Sequence, residues 1–327
     1  MIKGVILDID SLGPKDIDLS ALTRLDIDWQ LYGNTVPAEV AERITDAQIV
    51  LTNKAPLDRN ILQASPRLQY IGVLATGTNV VDLVTAKLRN ITVTNVTGYG
   101  IASVVQHTFA LILSLSTRLP DYNCAALDGR WRDSPFFCLL DFPLQELEGK
   151  TLGIVGHGAL GRGVAKIARA FDMKVKLAAL PGRHDNDPQR VPLKQLLSEV
   201  DILSLHCPLT PETKNLIGRE ELALMKPHAL LINCARGGIV DEIALAEALQ
   251  NGTIGGAGVD VLTEEPPRHG NPLLNPDIPN LIVTPHSAWA TQEARQRLVD
   301  QAANHLASFL RGAPTNTVAS SSSPNQP

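Results

Sequence analysis

The chain has 327 residues, of which 44% are hydrophobic, and a formal net charge of −5. That length predicts about two domains, each with a full core. Acids and bases are mixed along the chain, which speaks against a nucleic-acid partner. Its four cysteines, Cys124, Cys138, Cys207 and Cys234, form no CxxC pair and fit reduced thiols in a cytoplasm.

The opening, MIKGVILDID, reads as a first strand and lacks the long apolar core and cleavage site of a signal peptide. Apolar runs of strand length follow at 47–53 (AQIVLTN), 68–76 (LQYIGVLAT) and 91–96 (ITVTNV). A glycine-rich TGYGIAS then precedes a long helical pattern, with Ser103 and Gln106 at capping-box spacing and Pro120 past its last turn. The longest apolar run, TFALILSLS at 108–116, is far short of the roughly 20 residues needed to span a bilayer, so no membrane partner is expected. The segment DYNCAALDGRWRDSPFFCLLDFPLQELEG holds Trp131, Phe136, Phe137 and Phe142. An apolar loop of this length predicts an interface.

A second strand set follows: TLGIVG, KVKLAA, DILSLHC, HALLINC, GGAGVDV and LIVTPH, mostly with helical patterns between. Near-continuous apolar strands alternating with helices predict parallel sheets covered on both faces. The expected class is α/β, with two doubly wound parallel-sheet domains. One domain is expected at 1–100 plus 289–312 and the other at 101–288, with a hinge and cleft between them. The polar end, 313–327, reads as a disordered tail.

Within GKTLGIVGHGALGRGVAKIARAF a strand, a tight turn and a helix come in the order of a dinucleotide site. Gly156 permits the turn, Gly158 lets backbone approach a pyrophosphate, and Gly161 lets helix and strand pack closely. Helix-start N–H groups then face the phosphate. An NAD-preferring chain usually carries an acid roughly 20 residues further on. Here that place is near Ala179, and KVKLAALPGR contains no acid. Its Arg183 is the candidate contact for a 2′-phosphate, so NAD(H), NADP(H) or both are expected.

Three later motifs each place a chemically capable residue just past a strand. Arg236 stands in LLINCARGGIVDE among small residues that permit close ligand approach. GVDVLTEEPP offers Glu264 and Glu265, between which composition does not choose. Its Asp260 either faces the cofactor or caps the next turn. His286 stands in LIVTPHSAW, where a nearby carboxylate would make it an acid/base. A zinc site from His206, Cys207, Cys234 and His286 matches no known ligand spacing, so no metal is expected.

In this order after the glycine loop, GHGALG, HCPLTPET, NCARGG, DVLTEEPP and PHSAWAT resemble the D-isomer-specific 2-hydroxyacid dehydrogenases, over about residues 40–310. LTNK, ATGTNVVD and AWAT point to members that reduce hydroxypyruvate and glyoxylate. The resemblance implies a flavodoxin-like substrate domain, a Rossmann cofactor domain and a homodimer paired through the aromatic segment. It implies that Arg236 binds the carboxylate of a small 2-keto or 2-hydroxy acid and polarises its keto oxygen. His286 then gives the proton, and Glu265, the acid before Pro266, pairs with His286. Ala75, Thr76 and Gly77 would offer backbone N–H groups to the carboxylate, and Lys54 would face the substrate. Ala159 and Leu160 would lie on the pyrophosphate. Cys207, Pro208, Thr213, Cys234 and Asp260 would line the adenosine and nicotinamide sites, with His286 among the cofactor contacts. Many members carry Glu where this chain has Gln106. Other small 2-keto acids are alternative substrates. The same fold also serves as a non-catalytic dinucleotide sensor in transcriptional corepressors, which cofactor turnover would distinguish.

Overall fold

The computed structural model describes residues 1–180 and 190–319. Two compact units are present: Met1–Gly100 together with the chain from Ala290 onward, and Ile101–Trp289.

The first unit is built on β1 (Ile2–Ile6), β2 (Ile27–Leu31), β3 (Ile49–Thr52), β4 (Tyr70–Val73) and β5 (Thr92–Thr94). Their order across the sheet is β5-β4-β3-β1-β2, all parallel. This is the flavodoxin-like winding. Every residue of β3 and β4 is buried, as a sheet covered on both faces requires. On the edge strand β2 only Ile27 is buried, so its IDWQL lacks the apolar run that would announce a strand. The helix Gln292–Leu310 returns to this unit, and Phe309 packs its ring 4.8 Å from that of Tyr70.

The second unit holds β6 (Thr151–Val155), β7 (Lys174–Ala178), β8 (Arg190–Val191), β9 (Ile202–Leu205), β10 (Leu230–Asn233), β11 (Gly256–Val259) and β12 (Leu281–Val283). Their order is β12-β11-β10-β9-β6-β7-β8, again parallel throughout. The winding reverses between β6 and β9, and in such sheets ligands bind beyond the strand C-termini at the reversal. The helix Ile101–Ser116 turns nine residues, including Phe109, Leu111 and Ile112, into the core.

One local expectation is corrected, that for Ser103, and Pro120 does stand past the end of Ile101–Ser116. Ser103 is no cap: it lies inside the helix, and its hydroxyl donates to the Ala288 carbonyl at 2.6 Å. A cap would need non-helical backbone before the first turn. Pro120 sits in the first turn of the next helix, Leu119–Leu127, where its missing N–H costs nothing. Of the tail expected to be disordered, 313–327, residues 317–319 instead form β13 (Thr317–Ala319), antiparallel to β5 at the sheet edge, and 320–327 lie outside the described residues. Three residues whose backbone pairs with an existing edge need no apolar pattern of their own.

Asp201 ties together the N-terminal edge of the second sheet. Its carboxylate accepts from Thr151 N at 2.8 Å, Lys226 Nζ at 2.8 Å and His228 Nε2 at 2.9 Å. Burial pushes the carboxyl up, but the Lys226, Thr151 and His228 donors outweigh it and bring it from 3.8 down to about 2. A depressed carboxyl stabilises the fold above its unfolded value and loses that contribution as pH falls through the folded one. Asp201→Asn is therefore expected to destabilise the chain by about 2 kcal/mol near neutrality. The gap from wild type in thermal or urea unfolding should close as pH falls from about 4 to about 2. A gap that is absent, or independent of pH, would contradict this.

Candidate active site

Three neighbouring strands carry the second unit's reactive side chains. Register sets Asn233, Val259 and Val283 level across β10, β11 and β12. The segments that follow therefore leave the sheet from one edge. Past β10, the Asn233 side chain donates to the Arg236 carbonyl at 2.9 Å and accepts from Ala235 N at 3.1 Å, closing a tight turn. Arg236 stands exposed on this turn, and its Nη1 donates to the Ala235 carbonyl at 2.7 Å. Among the described residues no carboxylate lies within ion-pair distance of its guanidinium. A Cβ on Gly237 would come 2.0 Å from the Leu262 carbonyl, so only glycine lets this turn lie against the segment after β11.

That segment contains both candidate acids, and the structure separates them. Glu265 reaches His286, with Oε2 2.6 Å from Nδ1, while its Oε1 accepts from Leu262 N at 2.9 Å. Glu264 instead pairs with the exposed His269 at 2.8 Å. With Nδ1 held by Glu265, the other ring nitrogen of His286, Nε2, is left for proton exchange. His286 has φ +51, a left-handed backbone in which its N–H donates to the Asp260 carbonyl at 2.8 Å.

Asp260 is buried, and its carboxylate turns toward the His286 loop. Oδ1 accepts from Thr284 Oγ1 at 2.6 Å and Ser287 N at 2.9 Å, and Oδ2 from Ala288 N at 3.0 Å. Of the two roles open to it in the sequence, the geometry displays the turn-holding one. His107 joins the cluster, with Nε2 2.9 Å from Thr284 Oγ1 and 3.6 Å from Asp260.

The glycine loop is shaped for a dinucleotide. Gly156 has φ +100, and a Cβ there would lie 2.5 Å from the His206 backbone. A Cβ on Gly161 would lie 2.1 Å from the Gly156 carbonyl, whereas one on Gly158 would meet nothing within 4 Å. The first and third glycines are thus required by the fold, and the second leaves room for a ligand to approach. Gly158 precedes the helix Ala159–Ala170, at whose N-terminus Ala159 and Leu160 begin the first turn. The residues present fit a nucleotide pyrophosphate.

The other expected cofactor contacts fall around the same edge. Burial pushes the Cys207 thiol up to about 11; burial and then the Asp260 charge push Cys234 up to about 12. Both are protonated small side chains at neutral pH. Burial pushes His206 down to about 4, and its Nε2 lies 2.8 Å from Ser204 Oγ. Among the described residues no group of three His, Cys, Asp or Glu is arranged to hold a metal ion. Pro208 is exposed at the loop start, and buried Thr213 donates to its carbonyl at 2.6 Å, tying the loop to itself. Ala179 donates its N–H to the Val191 carbonyl at 2.8 Å, and Arg183 lies outside the described residues.

In the first unit, Lys54 follows β3 on a loop gripped by a residue that the sequence did not announce. Buried Asp8, two residues past β1, accepts from the backbone N–H groups of Asn53 at 2.8 Å, Lys54 at 2.5 Å and Ala55 at 3.0 Å. The partners are 45 to 47 positions apart in sequence. Only the adjacency of β1 and β3 joins them. Ala75, Thr76 and Gly77 follow β4. Val96 N donates to the Ala75 carbonyl at 3.0 Å, and Thr76 Oγ1 donates to the Val96 carbonyl at 2.9 Å.

Comparison with known proteins identifies the family. Residues 109–288 match the family described as D-isomer specific 2-hydroxyacid dehydrogenase, NAD binding domain. The chain is 46% identical over 294 residues to glycerate dehydrogenase of Methylorubrum extorquens, covering 89% of this chain and 92% of the relative. It is 41% identical over 321 residues to hydroxypyruvate reductase of Blautia hydrogenotrophica, covering 97% and 99%. Among solved structures, the TT0316 protein of Thermus thermophilus superposes with a TM-score of 0.87 at 35% identity, covering 97% of this chain and all of that one (100%). The match to the family spans more than half of the chain, and the relatives are alike over nearly all of it. This chain belongs to the D-isomer specific 2-hydroxyacid dehydrogenases.

Proposed function

We propose that the chain uses a nicotinamide dinucleotide to reduce hydroxypyruvate, and also glyoxylate, to D-glycerate and glycolate. The observation that carries this reading is the His286–Glu265 pair on the same sheet edge as an arginine that, among the described residues, has no carboxylate partner, in the unit bearing the glycine loop. The dinucleotide, when bound, supplies the hydride. Arg236 binds the substrate carboxylate and polarises the keto oxygen through its planar donors. Charged His286 gives its Nε2 proton to that oxygen as negative charge grows there. Glu265 orients the ring through Nδ1. In the reverse direction neutral His286 takes the hydroxyl proton. Ala75, Thr76 and Gly77 add N–H donors for the carboxylate, and Lys54 meets the 3-hydroxyl of hydroxypyruvate.

Consumption of reduced cofactor with hydroxypyruvate, glyoxylate and pyruvate tests the reading. Turnover is expected with the first two, hydroxypyruvate having the highest kcat/KM. Binding without turnover would replace the enzyme by a dinucleotide sensor; a clear preference for pyruvate would replace the substrate.

Cofactor choice follows from the absent acid. With Ala179 at its place, NAD loses a ribose contact and NADP loses a repulsion, while Arg183 offers paired donors to a phosphate. NADPH is therefore expected to work within about tenfold of NADH in kcat/KM, a gap of about 1.4 kcal/mol. A preference for NADH beyond about a hundredfold, roughly 2.7 kcal/mol, would contradict it.

The aromatic segment supports a homodimer. Trp131 is 54% exposed, Phe136 73%, Phe137 91% and Leu140 80%, more apolar surface than a solitary chain readily leaves in water. Light scattering is expected to give a dimer mass, and Phe137→Asp to lower it toward the monomer. A monomer mass at every concentration would refute this. All four cysteines are free, which supports a cytoplasmic enzyme. Among the described residues no helix is long and apolar enough to cross a membrane.

A further inference from the structure

After the helix Gln292–Leu310 the chain turns back, and the Thr315 hydroxyl meets His305 Nδ1 at 3.0 Å. Asn316 then takes a left-handed backbone, φ +54, a conformation that asparagine tolerates and most residues do not. There its Nδ2 donates to the Asn95 carbonyl at 2.6 Å and to Asn95 Oδ1 at 2.8 Å. A side-chain amide has one acceptor end and one donor end. With its oxygen engaged by Asn316, buried Asn95 presents its Nδ2 to the Thr76 carbonyl at 2.7 Å. The Ala75 carbonyl is held separately, by Val96 N at 3.0 Å.

Both carbonyls of the Ala75–Thr76–Gly77 turn are thus anchored on the side of the chain that follows β5. In a trans peptide the N–H points opposite to the carbonyl. The N–H groups of Thr76 and Gly77 therefore face away from Asn95 and Val96. Among the described residues neither has an acceptor. We propose that Asn316, acting through Asn95, is a positioning residue for the substrate carboxylate: it fixes the plane of the Thr76–Gly77 peptide and so aims the Gly77 N–H. This rests on the reading of Ala75–Gly77 as the carboxylate loop. It gives the segment after the last helix a part in substrate recognition.

The test uses the full chain with Asn316→Asp and Asn316→Gly. Both substitutions tolerate the left-handed backbone, and neither side chain can donate. In both, KM for hydroxypyruvate is expected to rise about three- to tenfold, the range for losing one well-placed hydrogen bond. The KM for reduced cofactor should not move, and kcat should change by less than about twofold, a split that general destabilisation would not produce. Unchanged hydroxypyruvate KM in both variants, or a parallel rise in both KM values, would overturn the proposal. Gly77→Pro, which deletes the N–H that the relay aims, separates it from the reading beneath it. If Gly77→Pro raises the hydroxypyruvate KM while the Asn316 variants do not, the relay alone is wrong. If Gly77→Pro leaves that KM unaltered, this N–H does not hold the carboxylate and the relay falls with it.

Discussion

Replacing His286 by Asn is expected to lower kcat for hydroxypyruvate reduction by about 10²- to 10⁴-fold, the range for losing a positioned general acid. Asparagine suits the site because His286 has φ +51, and asparagine accepts that conformation. The loop held by Asp260 should therefore survive, and KM should change far less than kcat. Glu265→Gln refines the result. Its carboxylate holds Nδ1 at 2.6 Å and so leaves Nε2 as the exchanging nitrogen. A neutral amide grips the ring less firmly, and kcat in Glu265→Gln is expected to fall about tenfold, the loss of one charge-assisted hydrogen bond. A full-rate His286→Asn enzyme would end the role given to the imidazole, and an unaltered kcat in Glu265→Gln would remove the carboxylate from the mechanism.

Arg236→Lys is expected to cost about 10²- to 10³-fold in kcat/KM for hydroxypyruvate, or about 3–4 kcal/mol of transition-state stabilisation. Lysine keeps the charge but loses the planar fork that, on the proposed reading, contacts a carboxylate and the developing oxyanion together. The site gives reason to expect so large an effect. Among the described residues no carboxylate neutralises Arg236, and its turn is fixed by the Asn233 side chain and by close packing at Gly237. The thermal midpoint should stay near wild type, because the side chain is exposed and, among the described residues, its one hydrogen bond is to the adjacent carbonyl of Ala235. Near-normal kcat/KM in Arg236→Lys would show that charge alone suffices, and the bidentate role would be dropped.

The catalytic candidates were legible because a parallel sheet sends every strand's C-terminal end to one edge. Apolar runs ending at Asn233, Val259 and Val283 therefore point to Arg236, Glu265 and His286 without any knowledge of strand order. The choice between Glu264 and Glu265 was not legible from composition, since it depends on how one loop folds: Glu265 reaches His286 and Glu264 reaches His269. Asp8 left no trace because its three acceptor bonds go to backbone N–H groups, which have no sequence signature. The edge strands β2 and β13 went unseen for a related reason. An edge strand is held by backbone pairing on one side and needs little apolar patterning, so IDWQL shows no apolar run and TVA reads as tail. Ser103 shows the opposite error. Its spacing to Gln106 mimics a capping box, but the helix begins at Ile101 and the hydroxyl bonds across 185 positions to Ala288.

The configuration of the product tests the central claim most directly. The purified chain, given hydroxypyruvate and reduced cofactor, should consume the two in equal amounts. Chiral chromatography of the product is expected to find D-glycerate alone, as membership of the D-isomer specific family implies. L-glycerate, a mixture of the two, or no glycerate at all would contradict the account.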